Sequence, residues 1–126
     1  MSDINIKGTF NTPSILFNKK ENHLIIEGRS TLENPVIFYK PLISKIKDGI
    51  KFPDGKMEID FKLEYFNTTS SLVILDVLKQ LHSLDSPGNE VIINWYYDEE
   101  DEDLLEIGED YSMILNFPFN LVVNQN

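Results

Sequence analysis

Two short stretches of this sequence concentrate groups that could do chemistry. Asn67-Thr68-Thr69-Ser70-Ser71 places four successive hydroxyls behind an asparagine. Asp98-Glu99-Glu100-Asp101-Glu102-Asp103 is six acids in a row, and residues 98–110 hold nine acids and no base. A hydroxyl cluster between a strand and a helix has two uses. It caps the free amides of the helix start, or it accepts a phosphate, which the same amides and the helix dipole favour. No glycine-rich pattern accompanies the hydroxyls, so a loop cradling a bound nucleotide is not indicated. Six consecutive acids exceed what a first helical turn needs, and their mutual repulsion costs stability. Such a run suits a basic partner surface. Alternatively, Asp98, Asp101 and Asp103 supply oxygen ligands to magnesium or calcium, as in a small acidic metal-dependent enzyme, although the spacing lacks the glycine and terminal glutamate of an EF-hand loop.

The inventory for catalysis is thin. His23 and His82 are the only histidines, one on a short apolar strand and one on an amphipathic helix, with no serine-elbow motif nearby. Asp60 and Glu64 share the wet face of one strand and could pair as acid and base, yet their spacing is that of ordinary solvent-facing charge. The chain has no cysteine, which excludes a disulfide framework, cysteine zinc sites and thiol catalysis. The residues favour a binding or regulatory protein over an enzyme, with no cofactor.

The elements that must hold these groups read as follows. Residues 1–12 look like a loose arm ending at Pro13. Ser14–Asn18 and His23–Gly28 form a hairpin around Lys19-Lys20-Glu21-Asn22. Glu33-Asn34-Pro35 starts a helix, Tyr39, Leu42, Ile43 and Ile46 follow at helical spacing, and Gly49 stops it. Pro41 inside this segment predicts a kink or a division. Lys56–Phe66 is the clearest strand: Met57, Ile59, Phe61, Leu63 and Tyr65 alternate with Glu58, Asp60, Lys62 and Glu64, one face buried and one wet. Leu72–Leu84 carries Ile74, Leu75, Leu78, Leu81 and Leu84 on a helical stripe and ends at Ser86-Pro87-Gly88. Val91–Tyr97 is a β-rich run. Leu104, Ile107, Tyr111, Ile114 and Leu115 line a last helix, and Phe119–Val123 is a final strand after Pro118. Gly108, within that helix, fits either close helix–sheet packing or the approach of another backbone.

The order ββαβαβαβ predicts one α/β domain over residues 1–126, with a mixed sheet, helices mainly on one face and the Glu58/Asp60/Lys62/Glu64 face open. Right-handed parallel crossovers then bring the loops after Phe66 and Tyr97 to one edge of the sheet.

Composition narrows the partners. The 126 residues carry a formal charge of −10, and outside residues 98–110 twelve acids nearly balance eleven bases. A protein without a basic patch is a poor binder of nucleic acid or of anionic membranes. No apolar run approaches the ~18 residues of a membrane span, and the N-terminus lacks a signal-peptide core, so a cytoplasmic protein is expected.

Taken together, the segments Leu63–Ser71, Ile93–Asp103 and Glu106–Tyr111 closely resemble the SiaC family of bacterial regulatory phosphoproteins, formerly a domain of unknown function. Thr12-Pro13, Gly28-Arg29-Ser30, Glu33-Asn34-Pro35 and Phe117-Pro118-Phe119 extend the resemblance over nearly the whole chain. Thr31-Leu32 stands where the family usually has Tyr-Pro, and Thr69 where it has serine. The resemblance implies a domain like the anti-sigma-factor antagonists (STAS-like), acting as a non-enzymatic switch in cyclic-di-GMP signalling. A partner kinase would phosphorylate a hydroxyl at a strand-to-helix turn and a phosphatase would remove the phosphate. The unphosphorylated form would bind and activate a diguanylate cyclase. By position the acceptor is Thr68, with Thr69 second. Asn67, Thr69, Ser70, Ser71, Tyr96, Tyr97, Asp98, Glu99, Asp101 and Glu102 are the expected partner-binding residues. A constitutive scaffold, whose hydroxyl loop is only a cap, is the competing non-enzymatic reading.

Overall fold

Alternating apolar residues build a six-stranded sheet whose strands lie in chain order: β1 (Ile4–Ile6), β2 (Ser14–Asn18), β3 (His23–Ser30), β4 (Lys56–Phe66), β5 (Glu90–Tyr97) and β6 (Asn120–Val123). Helices α1 (Pro35–Asp48), α2 (Thr68–His82) and α3 (Glu102–Leu115) fill the connections after β3, β4 and β5. The computed structural model describes residues 3–125, so the first two residues of the expected arm lie outside it.

The arm itself is corrected by β1. Ile4–Ile6 pairs antiparallel with β2, Ile4 opposite Phe17, and Ile4 is buried in the core. Three residues are too few to show an alternation, so the observed order has one strand more than the sequence suggested. β2 and β3 are antiparallel; β3, β4, β5 and β6 are parallel neighbours. Each of the three crossovers advances one place in the same direction, and right-handed connections therefore lay all three helices on one face. α1 packs on α2, and α2 on α3.

The core lies between that face and the helices. Ile15, Phe17, Leu24, Ile26, Met57, Ile59, Phe61, Leu63, Val91, Ile93 and Trp95 meet Tyr39, Leu42 and Ile46 of α1, Ile74, Val77, Leu78 and Leu81 of α2, and Leu104 and Tyr111 of α3. Each such side chain contributes about 1.5–3 kcal/mol by leaving water. α1 starts at Pro35 and ends at Gly49, whose φ of 111° suits a residue without a side chain. The expected division at Pro41 does not occur. Pro41 is exposed, so the hydrogen bond it removes falls on the solvent side and the helix continues.

Two apolar expectations are corrected. Tyr65 is exposed, because the β3–β4 register slips between Gly28 and Arg29: Gly28 faces Leu63, Arg29 faces Tyr65, and Glu64 is skipped. That bulge reverses the alternation and turns Phe66 onto the Trp95 ring. Ile114 is also exposed, because the buried stripe of α3 is Leu104, Gly108 and Tyr111.

The opposite sheet face is polar but not uniformly wet. Glu64 is exposed, Glu58 and Lys62 are half-buried, and Asp60 is buried. Among the described residues no helix is long and apolar enough to cross a membrane.

Candidate functional site

β4 and β5 run side by side in parallel, so the hydroxyl and acidic loops leave the same sheet edge. Asn67 caps α2. Its backbone is extended (φ −80°, ψ 173°), Oδ1 accepts from the Ser70 amide at 2.9 Å, and its carbonyl accepts from Ser71 N at 3.0 Å. Its Nδ2 donates to the Leu32 carbonyl at 3.1 Å, pinning the turn to the β3–α1 connection. Thr68 and Thr69 are the first two residues of the helix, and both are exposed. Among the described residues none hydrogen-bonds the Thr68 hydroxyl; Ser71 Oγ donates instead to the Thr68 carbonyl at 2.6 Å. No acid occupies the first turn of α2, so its positive end is uncompensated.

Ser70 is placed differently from its neighbours. It is fully buried, and its hydroxyl accepts at 2.9 Å from Ser30 Oγ, which accepts at 2.8 Å from Tyr39 Oη. It therefore corrects the expectation of a partner contact: the third residue of the helix points inward, and this hydroxyl chain ties α1, β3 and α2 together. Burial pushes the Tyr39 phenol up to about 12, partly offset by its hydrogen bond to Ser30.

The acidic loop divides into capping and exposed groups. Asp101 caps α3, its Oδ1 accepting from Leu104 N at 3.0 Å, and Glu102 and Asp103 fill the first turn. Asp98 accepts from Asn124 Nδ2 at 3.1 Å, fastening the loop to the chain after β6. Asp98, Glu99, Glu100, Glu102 and Asp103 are exposed. Asp98, Asp101 and Asp103 are not among the groups that converge closely enough to share a cation; of the described residues, His23, Glu58 and Asp60 do so. Tyr97 packs against the core on the helix side. Tyr96 lies on the opposite sheet face under the Lys62 amine, 4.7 Å from the ring centroid, and its phenol is raised by burial and then by Asp60 and Glu58.

Neither histidine serves this edge. His82 packs its ring on Phe117, and His23 meets Asp60 on the far face. Asp60 and Glu64 do not pair: Asp60 is engaged by His23, while Glu64 lies 3.7 Å from Arg29.

A shallow groove beside Thr68 escaped the sequence reading. Phe66, Thr68 and Ser71 form one side, and Ile107, Asp110, Tyr111 and Ile114 the other. Tyr111 Oη donates to the Ser71 carbonyl at 2.7 Å across its floor, and burial pushes that phenol up to about 12 against the lowering effect of the bond. The signal was present in Met113-Ile114-Leu115, since three consecutive apolar residues spread over about 200° of a helix and cannot all face the core. Gly108 belongs to packing, not to an open surface: a Cβ there would lie 2.4 Å from Trp95 Cδ1.

An exposed threonine thus opens α2 on the same sheet edge from which the acidic loop leaves. The chain belongs to the SiaC family of regulatory phosphoproteins, whose model matches residues 6–124. It is 30% identical over 119 residues to an uncharacterised protein of Pseudomonas aeruginosa (strain UCBPP-PA14), covering 94% of each. It is likewise similar to the crystal structure of apo-SiaC from P. aeruginosa, with TM-score 0.76, 30% identity, 98% of this chain and 100% of that one. A third similarity is to a chain in the crystal structure of the diguanylate cyclase SiaD in complex with its activator SiaC from P. aeruginosa. There the TM-score is 0.78 at 29% identity, over 97% of this chain and 100% of that one.

Proposed function

We propose that this chain is a non-enzymatic activator of a diguanylate cyclase, switched by phosphorylation of Thr68. The observation that carries the reading is the exposed Thr68 hydroxyl at the first position of α2, next to amides that have no partner within the helix. A kinase moves the terminal phosphoryl of ATP onto Thr68 Oγ1, releasing ADP and a proton, and a phosphatase hydrolyses the ester to restore the hydroxyl. The kinase's need for ATP fits a cycle run in the cytoplasm.

The physical effect of the switch is electrostatic. Phosphate adds about −1.5 to −2 charge at neutral pH and three strong acceptors. The helix start accommodates that charge locally, while any partner seated across residues 67–71 and 96–102 meets a sharply more negative edge. The unphosphorylated chain is the binding form, as in anti-sigma-factor antagonists. The family's description as phosphoproteins and the complex of SiaD with its activator SiaC support this reading.

Incubation with the kinase of its own host and ATP, followed by peptide mapping, tests it. Phosphate on Thr68 is the expected result. Phosphate on Thr69 moves the acceptor by one residue; none on residues 68–71 refutes the switch.

A further inference from the structure

We propose that His23, Glu58 and Asp60 form a binding site for a first-row divalent cation, of which Zn2+ is the best fit, on the open face of the sheet. His23 begins β3 and lies directly opposite Glu58 of β4, while Asp60 follows two residues on, on the same face. One ligand atom from each lies within 4.8 Å of the other two. His23 Nε2 and Asp60 Oδ2 are 3.0 Å apart. Adjacent ligands around a cation with bonds of about 2.1 Å stand at roughly that separation. Half-buried His23 and Glu58 leave the fourth side open to water.

The carboxylates are already aimed. Asn94 Nδ2 of β5 donates to Asp60 Oδ1 at 2.8 Å and to Glu58 Oε1 at 2.9 Å, and Asn94 Oδ1 accepts from Asn120 Nδ2 of β6 at 2.9 Å. An amide relay across two strands thus orients two ligands from behind, as outer-shell partners do at metal centres. Asp60 is only 4% exposed. Two adjacent carboxylates, one of them buried, call for positive charge. Among the described residues the one ion pair to either is His23 with Asp60, which counts only when the ring is protonated. The nearby Lys62 amine sits over Tyr96. A cation would supply that charge and use the neutral imidazole as a third ligand.

The mixed nitrogen and oxygen set selects the metal class. Calcium and magnesium prefer oxygen alone, whereas an imidazole with two carboxylates suits Zn2+ or Mn2+. Asp60 precedes Phe66 by six strand residues, which puts the site about 20 Å from the Thr68 edge and makes it independent of the acidic loop.

Calorimetric titration of the chelator-treated full chain with ZnCl2 tests the proposal, with long-range 1H–15N spectra following the His23 ring. We expect one saturable site and a shift of the His23 Nε2 resonance on loading. Affinity should fall at least tenfold in both His23→Ala and Asp60→Asn, and should be unchanged in a triple variant Asp98→Asn/Glu99→Gln/Glu100→Gln. Absence of saturable uptake, full affinity in His23→Ala or in folded Asp60→Asn, or loss only in the loop variant would each overturn it. Should Asp60→Asn not fold, His23→Ala decides the question, because that side chain is partly exposed and its removal leaves the core intact.

Discussion

Replacing Gly108 by alanine measures how closely α3 is seated on the sheet. On an exposed helix the change would stabilise by about 1 kcal/mol, because alanine is the better helix former. Here the new Cβ would fall 2.4 Å from Cδ1, 2.6 Å from Nε1 and 2.8 Å from Cγ of Trp95. The indole has no room to retreat. The rings of Phe61, Phe66, Tyr111 and Phe119 surround it, and its Nε1 donates to the Leu104 carbonyl at 3.0 Å. Restoring an ordinary carbon–carbon contact lifts α3 by about 1 Å. Overpacking of this kind costs about 1–3 kcal/mol, and losing the indole hydrogen bond adds about 1 kcal/mol. Set against the helix gain, Gly108→Ala should lose about 1–3 kcal/mol. Urea unfolding followed by fluorescence of Trp95, the single tryptophan, reads this as a lower midpoint at unchanged slope. A variant as stable as the parent, with the same native emission, would refute the close contact.

Thr68→Ala should stay within about 0.5 kcal/mol of the parent, since Asn67 and not Thr68 caps the helix, and should keep binding a cyclase partner. Thr68→Asp should bind that partner less well but not lose it, because one charge replaces nearly two, and calorimetry against the cyclase separates the cases. Asn67→Ala should lower stability by about 1–2 kcal/mol in thermal melts, removing the cap to Ser70 N and the bond to Leu32. Lysines at positions 98, 99 and 102 should weaken partner binding and flatten its salt dependence; unchanged affinity would reduce the acids to a solvated cap. Tyr39 and Tyr111 have phenols raised to about 12, against about 10 in an unfolded chain. The folded state therefore keeps protons that the unfolded state has lost, so stability holds below pH ~10 and falls as pH rises toward 12. Denaturant titrations at alkaline pH check this, and Tyr39→Phe should soften the decline.

Much of this architecture is visible in residue order, for identifiable reasons. β4 shows its period because its helix-side neighbours demand Met57, Ile59, Phe61 and Leu63 at every second place. The handedness of crossovers alone was enough to bring the two chemical loops together. What escaped depends on neighbours that a single segment does not display. The slip at Glu64 arises from pairing with Gly28 and Arg29 and inverts Tyr65 and Phe66. Asp60 looks like any wet-face acid until His23 and Asn94, the latter held in turn by the amide of Asn120, close on it. Ser70 is indistinguishable from Thr69 by composition, and only the phase of α2 sends one hydroxyl inward and leaves the other in solvent. Likewise, the residues alone left Thr68 between cap and acceptor; the structure gives the cap to Asn67.

The strand order carries a consequence for how the chain comes together. Every strand pairs with the one made just before it. No strand waits for a distant partner, so loop closure is never larger than a single crossover, and long-range closure is what slows β-rich chains. Growth can proceed in the direction of synthesis, each βα unit docking on a finished edge. The Thr68 turn then exists as soon as α2 has formed, but it faces its acidic neighbour only after β5 and α3 have been added. A chain stopped before residue 98 would display the threonine without the negative surface beside it.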